Sequence, residues 1–127
     1  MKTSILAIFM ILAAHIGVAQ DEKQTTVAFD QTTINYGKIK AGEDGVRIFT
    51  FTNTGEHDLI IARVYTGCSC TASKIPENAI KPGEKGEIEI TYDTRKIGPI
   101  AKVISVYANV PDGIVPLRIK GQVLPAE

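Results

Sequence analysis

The chain has 127 residues, 14 Lys and Arg balancing 14 Asp and Glu, no Trp and only two cysteines. That length suits a single domain. With no basic cluster and only scattered aromatics, neither nucleic acid nor an anionic membrane surface is indicated as a partner.

The first element in chain order is a leader. Met1 and Lys2 give a short basic start, Ile5 to Ala14 form an unbroken apolar run, and Gly17-Val18-Ala19 supplies small residues before Gln20. This is the layout of a secretory signal peptide over residues 1–19, with cleavage between Ala19 and Gln20. An apolar run of about ten residues is too short for the roughly 20 that a membrane-spanning helix needs, so no integral anchor is expected after cleavage. No cysteine stands at the cleavage point to carry a lipid. The mature chain of 108 residues, 127 less 19, is expected in the periplasm or outside the cell. Loss of Lys2 leaves it a formal charge of −1.

Residues 20–26 read as a flexible lead-in, and residues 27–124 as the folded domain. "VAFD" at 27–30 and "INYGKI" at 34–39 predict two short strands, the second bent or bulged at Gly37. "AGEDG" is a turn. "VRIFTFTN" at 46–53 alternates and places Phe49 and Phe51 on one face. "NTGEHD" turns the chain into "LIIARVY" at 59–65. "IKPGEKG" is a strong turn, because Pro82 presets φ and Gly83 accepts a positive one. "EIEITYD" at 87–93 sends Ile88, Ile90 and Tyr92 one way and Glu87, Glu89 and Thr91 the other. "GPIAKVISVYAN" and "GIVPLRIKGQV" supply two more strands, and Pro116 inside the last predicts a sheet edge or a bulge there.

About seven strands at regular spacing, with no amphipathic helix, predict an all-β fold: an Ig-like antiparallel β-sandwich. The widely spaced cysteine pair with an intervening Trp that marks true immunoglobulin domains is missing. The core must therefore rest on Val, Ile, Leu and Phe.

Chemistry is concentrated in "TGCSCTAS" at 66–73, which holds Cys68 and Cys70. In an unbroken strand their side chains share a face, with Cα atoms roughly 6.5 Å apart and Cβ atoms too far apart for a disulfide. Gly67 and Ser69 are residues that permit a bend. Three readings stay open. The pair closes into a one-residue disulfide, a poor staple but suited to redox exchange. Alternatively, both thiolates grip Cu(I), which accepts two sulfurs in near-linear geometry. In the third, both are packed as small apolar side chains. Parity favours the third, since Ile60, Ala62 and Val64 share even numbering with Cys68 and Cys70. His57 is the one histidine of the mature chain, and both methionines lie in the leader, so tetrahedral zinc lacks ligands.

Other candidates carry less. His57 between Glu56 and Asp58 reads as a solvated turn, because consecutive turn residues rarely converge on a metal. Asp93, Thr94 and Arg95 suit local hydrogen bonds after a strand. Asn35, Asn53, Asn78 and Asn109 read as turn residues. No strand-turn-helix nucleophile elbow is present, so no catalytic residue is assigned.

A set of motifs carries a family resemblance: Asn53-Thr54-Gly55, Cys68-Ser69-Cys70-Thr71, Pro82-Gly83-Glu84, Tyr92-Asp93-Thr94 and Lys120-Gly121-Gln122-Val123. In this order the chain resembles the bacterial "domain of unknown function 1573" family, common in exported proteins. Many members have Gly where this chain has Ser69. The resemblance implies an Ig-like sandwich related to ASH and major-sperm-protein domains, and it implies no agreed activity. The expectation is an exported, non-catalytic module that binds an unknown protein partner in the cell envelope and needs no cofactor. The alternative is a thiol redox or Cu(I)-binding protein acting through Cys68 and Cys70.

Overall fold

The computed structural model describes residues 23–126, so the leader and the Ala19–Gln20 cleavage point lie outside the described residues. Those residues form eight strands: β1 (Val27–Phe29), β2 (Thr33–Lys40), β3 (Val46–Asn53), β4 (Ile61–Tyr65), β5 (Thr71–Lys74), β6 (Lys85–Tyr92), β7 (Gly98–Ala108) and β8 (Ile114–Leu124). They make two four-stranded sheets, in the orders β1-β3-β6-β5 and β2-β8-β7-β4.

Alternation decides what lies between the sheets. Phe49, Phe51, Ile88 and Ile90 from one sheet, and Ile104, Leu117 and Val123 from the other, are completely buried. Tyr92 joins them while Glu87 and Thr91 stay exposed, as the period of two requires. Each large side chain so buried contributes about 1.5–3 kcal/mol. This apolar core holds the sandwich without any disulfide between the sheets.

Four features differ from, or refine, the reading of the sequence. Strand β5 was not anticipated, because only Thr71 of its four residues is buried and it carries no apolar alternation. The pairing is mixed, since β2 runs parallel to β8 with Ile34 opposite Ile119. These two strands are far apart in the chain, so the parallel pair needs no local crossover helix. The bulge expected at Gly37 is present: the register with β8 shifts between Asn35 and Lys38, and Gly37 has φ +71°. Pro116 lies in β8, an inner strand, but pairing with β2 begins only at Arg118, so the β2 side of Pro116 is locally an edge.

The parity of β4 is the opposite of that expected. Leu59 and Ile61 are buried, whereas Ile60 is 50% exposed and Ala62 is also exposed. Ile61 pairs with Ala108 and Arg63 with Tyr107, which leaves Ala62 as an extra residue in a bulge. The bulge resets the phase, so Val64 turns back toward the core.

The described part of the lead-in is fastened to the sandwich. Thr25 N–H donates to the Asn109 carbonyl at 2.9 Å, and its hydroxyl donates to Asn53 Oδ1 at 2.8 Å. Asn53 is 1% exposed. Its Nδ2 donates to the carbonyls of His57 and Ile80, and Oδ1 also accepts from Gly55 N–H. Asn109 similarly joins Lys23, Asp58 and Ile60. Both asparagines are thus clasps rather than ordinary turn residues.

Candidate functional site

Strand β4 ends at Tyr65 on the edge of one sheet, and β5 begins at Thr71 on the edge of the other. Residues 66–70 make the crossing, and both cysteines lie in it. Gly67 takes φ +81°, a conformation that side-chain-bearing residues rarely adopt, and there the chain leaves the strand path. The bend brings the Cys68 and Cys70 Cα atoms to 5.3 Å, and the two sulfurs form a disulfide.

The crossing is pinned on several sides. Thr66 Oγ1 lies 3.1 Å from the Thr71 carbonyl and 3.3 Å from that of Cys68, both in reach of its one hydroxyl proton. Asp93 N–H donates to the Cys70 carbonyl at 2.9 Å, and Thr71 pairs with Tyr92. Cys70 N–H donates to Cys68 Sγ at 3.3 Å. The Thr71 hydroxyl, on a residue only 6% exposed, sits 3.8 Å from Cys68 Sγ and 3.7 Å from Cys70 Sγ.

Beside the crossing, Arg95 grips Asp93 through two side-chain bonds of 2.9 and 3.0 Å, and its backbone N–H adds a third. The side-chain bonds first, then the backbone bond, pull the Asp93 carboxyl down to about 2. Thr94 Oγ1 donates to the Glu43 carbonyl at 2.6 Å. The Asp93–Arg95 bonds are the local ones expected after a strand, whereas the Thr94 bond reaches 51 positions back in the chain.

The reading of two packed free thiols is therefore corrected. A strand continuing the inward parity of Val64 would have buried them side by side, but the bend at Gly67 breaks that extrapolation. Cys68 and Cys70 are half-buried, with Cys70 resting partly on the core. Joined to each other, the sulfurs offer no thiolate, so Cu(I) binding is a question for the reduced form alone. Glu56, His57 and Asp58 are exposed side by side on their turn. Among the described residues no three His, Cys, Asp or Glu side chains gather as a metal site. Thr66 and Thr71 were missed as supports of the pair. The signal for Thr66 was position alone, a hydroxyl two residues before Cys68, while Thr71 already stood in the Cys68-Ser69-Cys70-Thr71 motif.

Two further surface features stand apart from the cysteines. A shallow groove of about 580 Å³ runs over the outer face of β3, β6 and β5, lined among others by Ile48, Thr50, Ile75, Glu87 and Glu89. On the other sheet, Ile60 and Tyr65, the latter 57% exposed, bracket the open edge of β4.

The family described as "Protein of unknown function (DUF1573)" matches residues 27–123. No curated protein matches the chain. A protein of unknown function from Porphyromonas gingivalis W83 is 21% identical with a TM-score of 0.70, the match covering 79% of this chain and 47% of that one. The ASH / PapD-like domain 7 of human CEP192 is 15% identical with a TM-score of 0.62, covering 91% and 97%. The secreted serine protease VesC from Vibrio cholerae is 16% identical with a TM-score of 0.58, covering 79% and 23%. The chain spans about half the length of the Porphyromonas protein, about a quarter of VesC and nearly all of the human domain. At these identities the likeness is one of fold, an Ig-like and PapD-like sandwich.

Proposed function

The chain belongs to the DUF1573 family, whose function is unknown, and we propose that it is an exported, non-catalytic interaction module that engages a protein partner in the cell envelope. The observation that carries this reading is the open edge of β4. Its outer side pairs with no strand among the described residues, and Ile60 and Tyr65 expose apolar surface at its two ends. An extended segment of a partner adds to such an edge through main-chain hydrogen bonds, while flanking apolar side chains set the specificity.

The other three edges are better protected. β1 has 3 residues and β5 has 4, while β2 is bulged and carries Lys38 and Lys40. Short length and lysines are the usual means of blunting an edge; β4 is also bulged, at Ala62, but has 5 residues and no lysine, and both its ends expose a large apolar side chain.

The leader gives the location. On expression of the full chain in a bacterium, the protein is expected in the exported fraction with Gln20 as its first residue, read by N-terminal sequencing. Full-length protein retained in the cytoplasm overturns the export reading. A photo-crosslinking residue at Tyr65 is expected to capture one envelope protein that the same probe at Lys38 does not. Equal capture at both positions, or at neither, removes β4 as the docking edge.

A further inference from the structure

The crossing between β4 and β5 keeps its shape through contacts that do not use the sulfur–sulfur bond. The one Thr66 hydroxyl proton reaches the Thr71 carbonyl or that of Cys68, Asp93 N–H holds that of Cys70, and the first residue of β5 is already paired. A disulfide enclosing a single residue constrains the unfolded chain little. As a staple it duplicates what these hydrogen bonds do, and what it adds is reactivity.

The surroundings of the two sulfurs are unequal. Cys70 N–H points at Cys68 Sγ alone, whereas the Thr71 hydroxyl serves either sulfur. Negative charge is therefore better supported on Cys68, by a backbone donor and a hydroxyl, than on Cys70. Both cysteines keep part of their surface open to solvent, although Cys70 also rests on the core.

We propose that Cys68–Cys70 is an exchange disulfide that oxidises the dithiol of another exported protein, with Cys68 as the departing sulfur. A substrate thiolate attacks Cys70 Sγ, forming a substrate–Cys70 disulfide as the Cys68–Cys70 bond breaks. The electron pair of that bond goes to Cys68, whose thiolate is held by Cys70 N–H and the Thr71 hydroxyl until it takes up the proton the substrate thiol released. The substrate's second thiolate then attacks its own disulfide-bonded sulfur and expels Cys70, which takes the second proton. The substrate loses two electrons and two protons to become a disulfide, and the Cys68–Cys70 pair gains both as thiols. A departing thiol that is stabilised as its anion leaves faster, which is the advantage of placing both donors at Cys68.

The test uses the oxidised full chain and a synthetic dithiol peptide in anaerobic buffer, followed by mass spectrometry. The peptide is expected to lose a pair of hydrogen atoms and the native protein to gain it. Cys68→Ser, offered a single-cysteine form of the peptide activated as a thiopyridyl disulfide, is expected to hold it as a lasting mixed disulfide on Cys70, since neither side then carries a second thiol to resolve it. In Cys70→Ser the remaining Cys68 thiol is expected to be more acidic than an ordinary cysteine. Thr71→Val raises that titration and slows peptide oxidation several-fold, and Thr71→Ser restores both. A disulfide that excess peptide and dithiothreitol leave intact until the protein unfolds overturns the proposal. So does a Cys68 thiol of ordinary acidity that Thr71→Val does not move. Crosslinking at Tyr65 reads the interaction function separately, so either idea can fail alone.

Discussion

Asn53 and the Cys68–Cys70 crossing clasp opposite ends of the same sandwich, one without a covalent bond and one with it. Asn53 closes β3 where β6 begins, while the cysteines lie where β6 ends against Thr71. The asparagine is buried and reaches Thr25 and Ile80, 28 and 27 positions away in sequence. Through Thr25 it is linked to Asn109, the residue just past the end of β7 in the other sheet. The cysteines are 2 positions apart and half-exposed. What a constraint adds to stability depends on how much chain freedom it removes and how dry it is, not on whether it is covalent.

The strongest way to break this comparison is to remove the asparagine. Asn53→Ala leaves the buried Thr25 hydroxyl without its partner and takes one of two donors from the Ile80 carbonyl, which keeps Leu59 N–H. A buried group so orphaned costs about 1–3 kcal/mol, so a total loss of about 3 kcal/mol is expected in a urea titration. The described lead-in should loosen with it, detectable as earlier proteolysis near Thr25. The comparison is reversed if this variant is less damaging than loss of the disulfide.

The second expected effect is smaller. Replacing both Cys68 and Cys70 by Ser is expected to lower stability by only about 1 kcal/mol, because a loop this short sits at the weak end of the range for disulfides. Gly67, Thr66 and Asp93 should keep the crossing in place, so the transition should remain a single cooperative step. A loss matching that of Asn53→Ala would make the disulfide a staple after all and would remove the reason for reading it as an exchange couple.

The same contrast explains what the sequence made legible. Strands with strict alternation, such as Ile88-Glu89-Ile90, declare their inner face because only one register buries both isoleucines. Asn53 shares parity with Phe49 and Phe51, so the pattern that marked the core also placed Asn53 inside it. Its position before Thr54-Gly55 concealed this, because Asn-Thr-Gly reads equally well as an ordinary turn. The crossing was harder. Parity counted from Ile60 starts on the wrong face, and Val64 turns inward only through the Ala62 bulge, which depends on pairing with the distant β7. Gly67 showed that a bend was permitted, but only the edge strands on either side determine that it occurs. β5 was hidden because Thr-Ala-Ser-Lys gains its place from β6 rather than from apolar burial of its own.

The smallest expected effect probes the support of the crossing from outside. Asp93 N–H holds the Cys70 carbonyl, and the Asp93 carboxyl is in turn fixed by Arg95. Its carboxyl is lowered from 3.8 to about 2 by those bonds. A depressed carboxylate stabilises the fold above its unfolded value and loses that contribution as pH falls toward the folded one. The contribution should therefore be complete above pH 4 and fade between pH 4 and about 2. Because the pair is exposed and screened by salt, the effect should be slight and weaker still at high ionic strength. Arg95→Ala is expected to raise the Asp93 titration, followed by NMR, part of the way toward the ordinary carboxylate value, because the backbone N–H at position 95 still donates to the carboxyl. If the crossing depends on this ion pair, thiol–disulfide exchange in Arg95→Ala will be faster than in the parent at neutral pH. If Thr66 and the Asp93 backbone suffice, the two rates will coincide, leaving the Cys70 N–H and Thr71 hydroxyl around the sulfurs to govern the exchange.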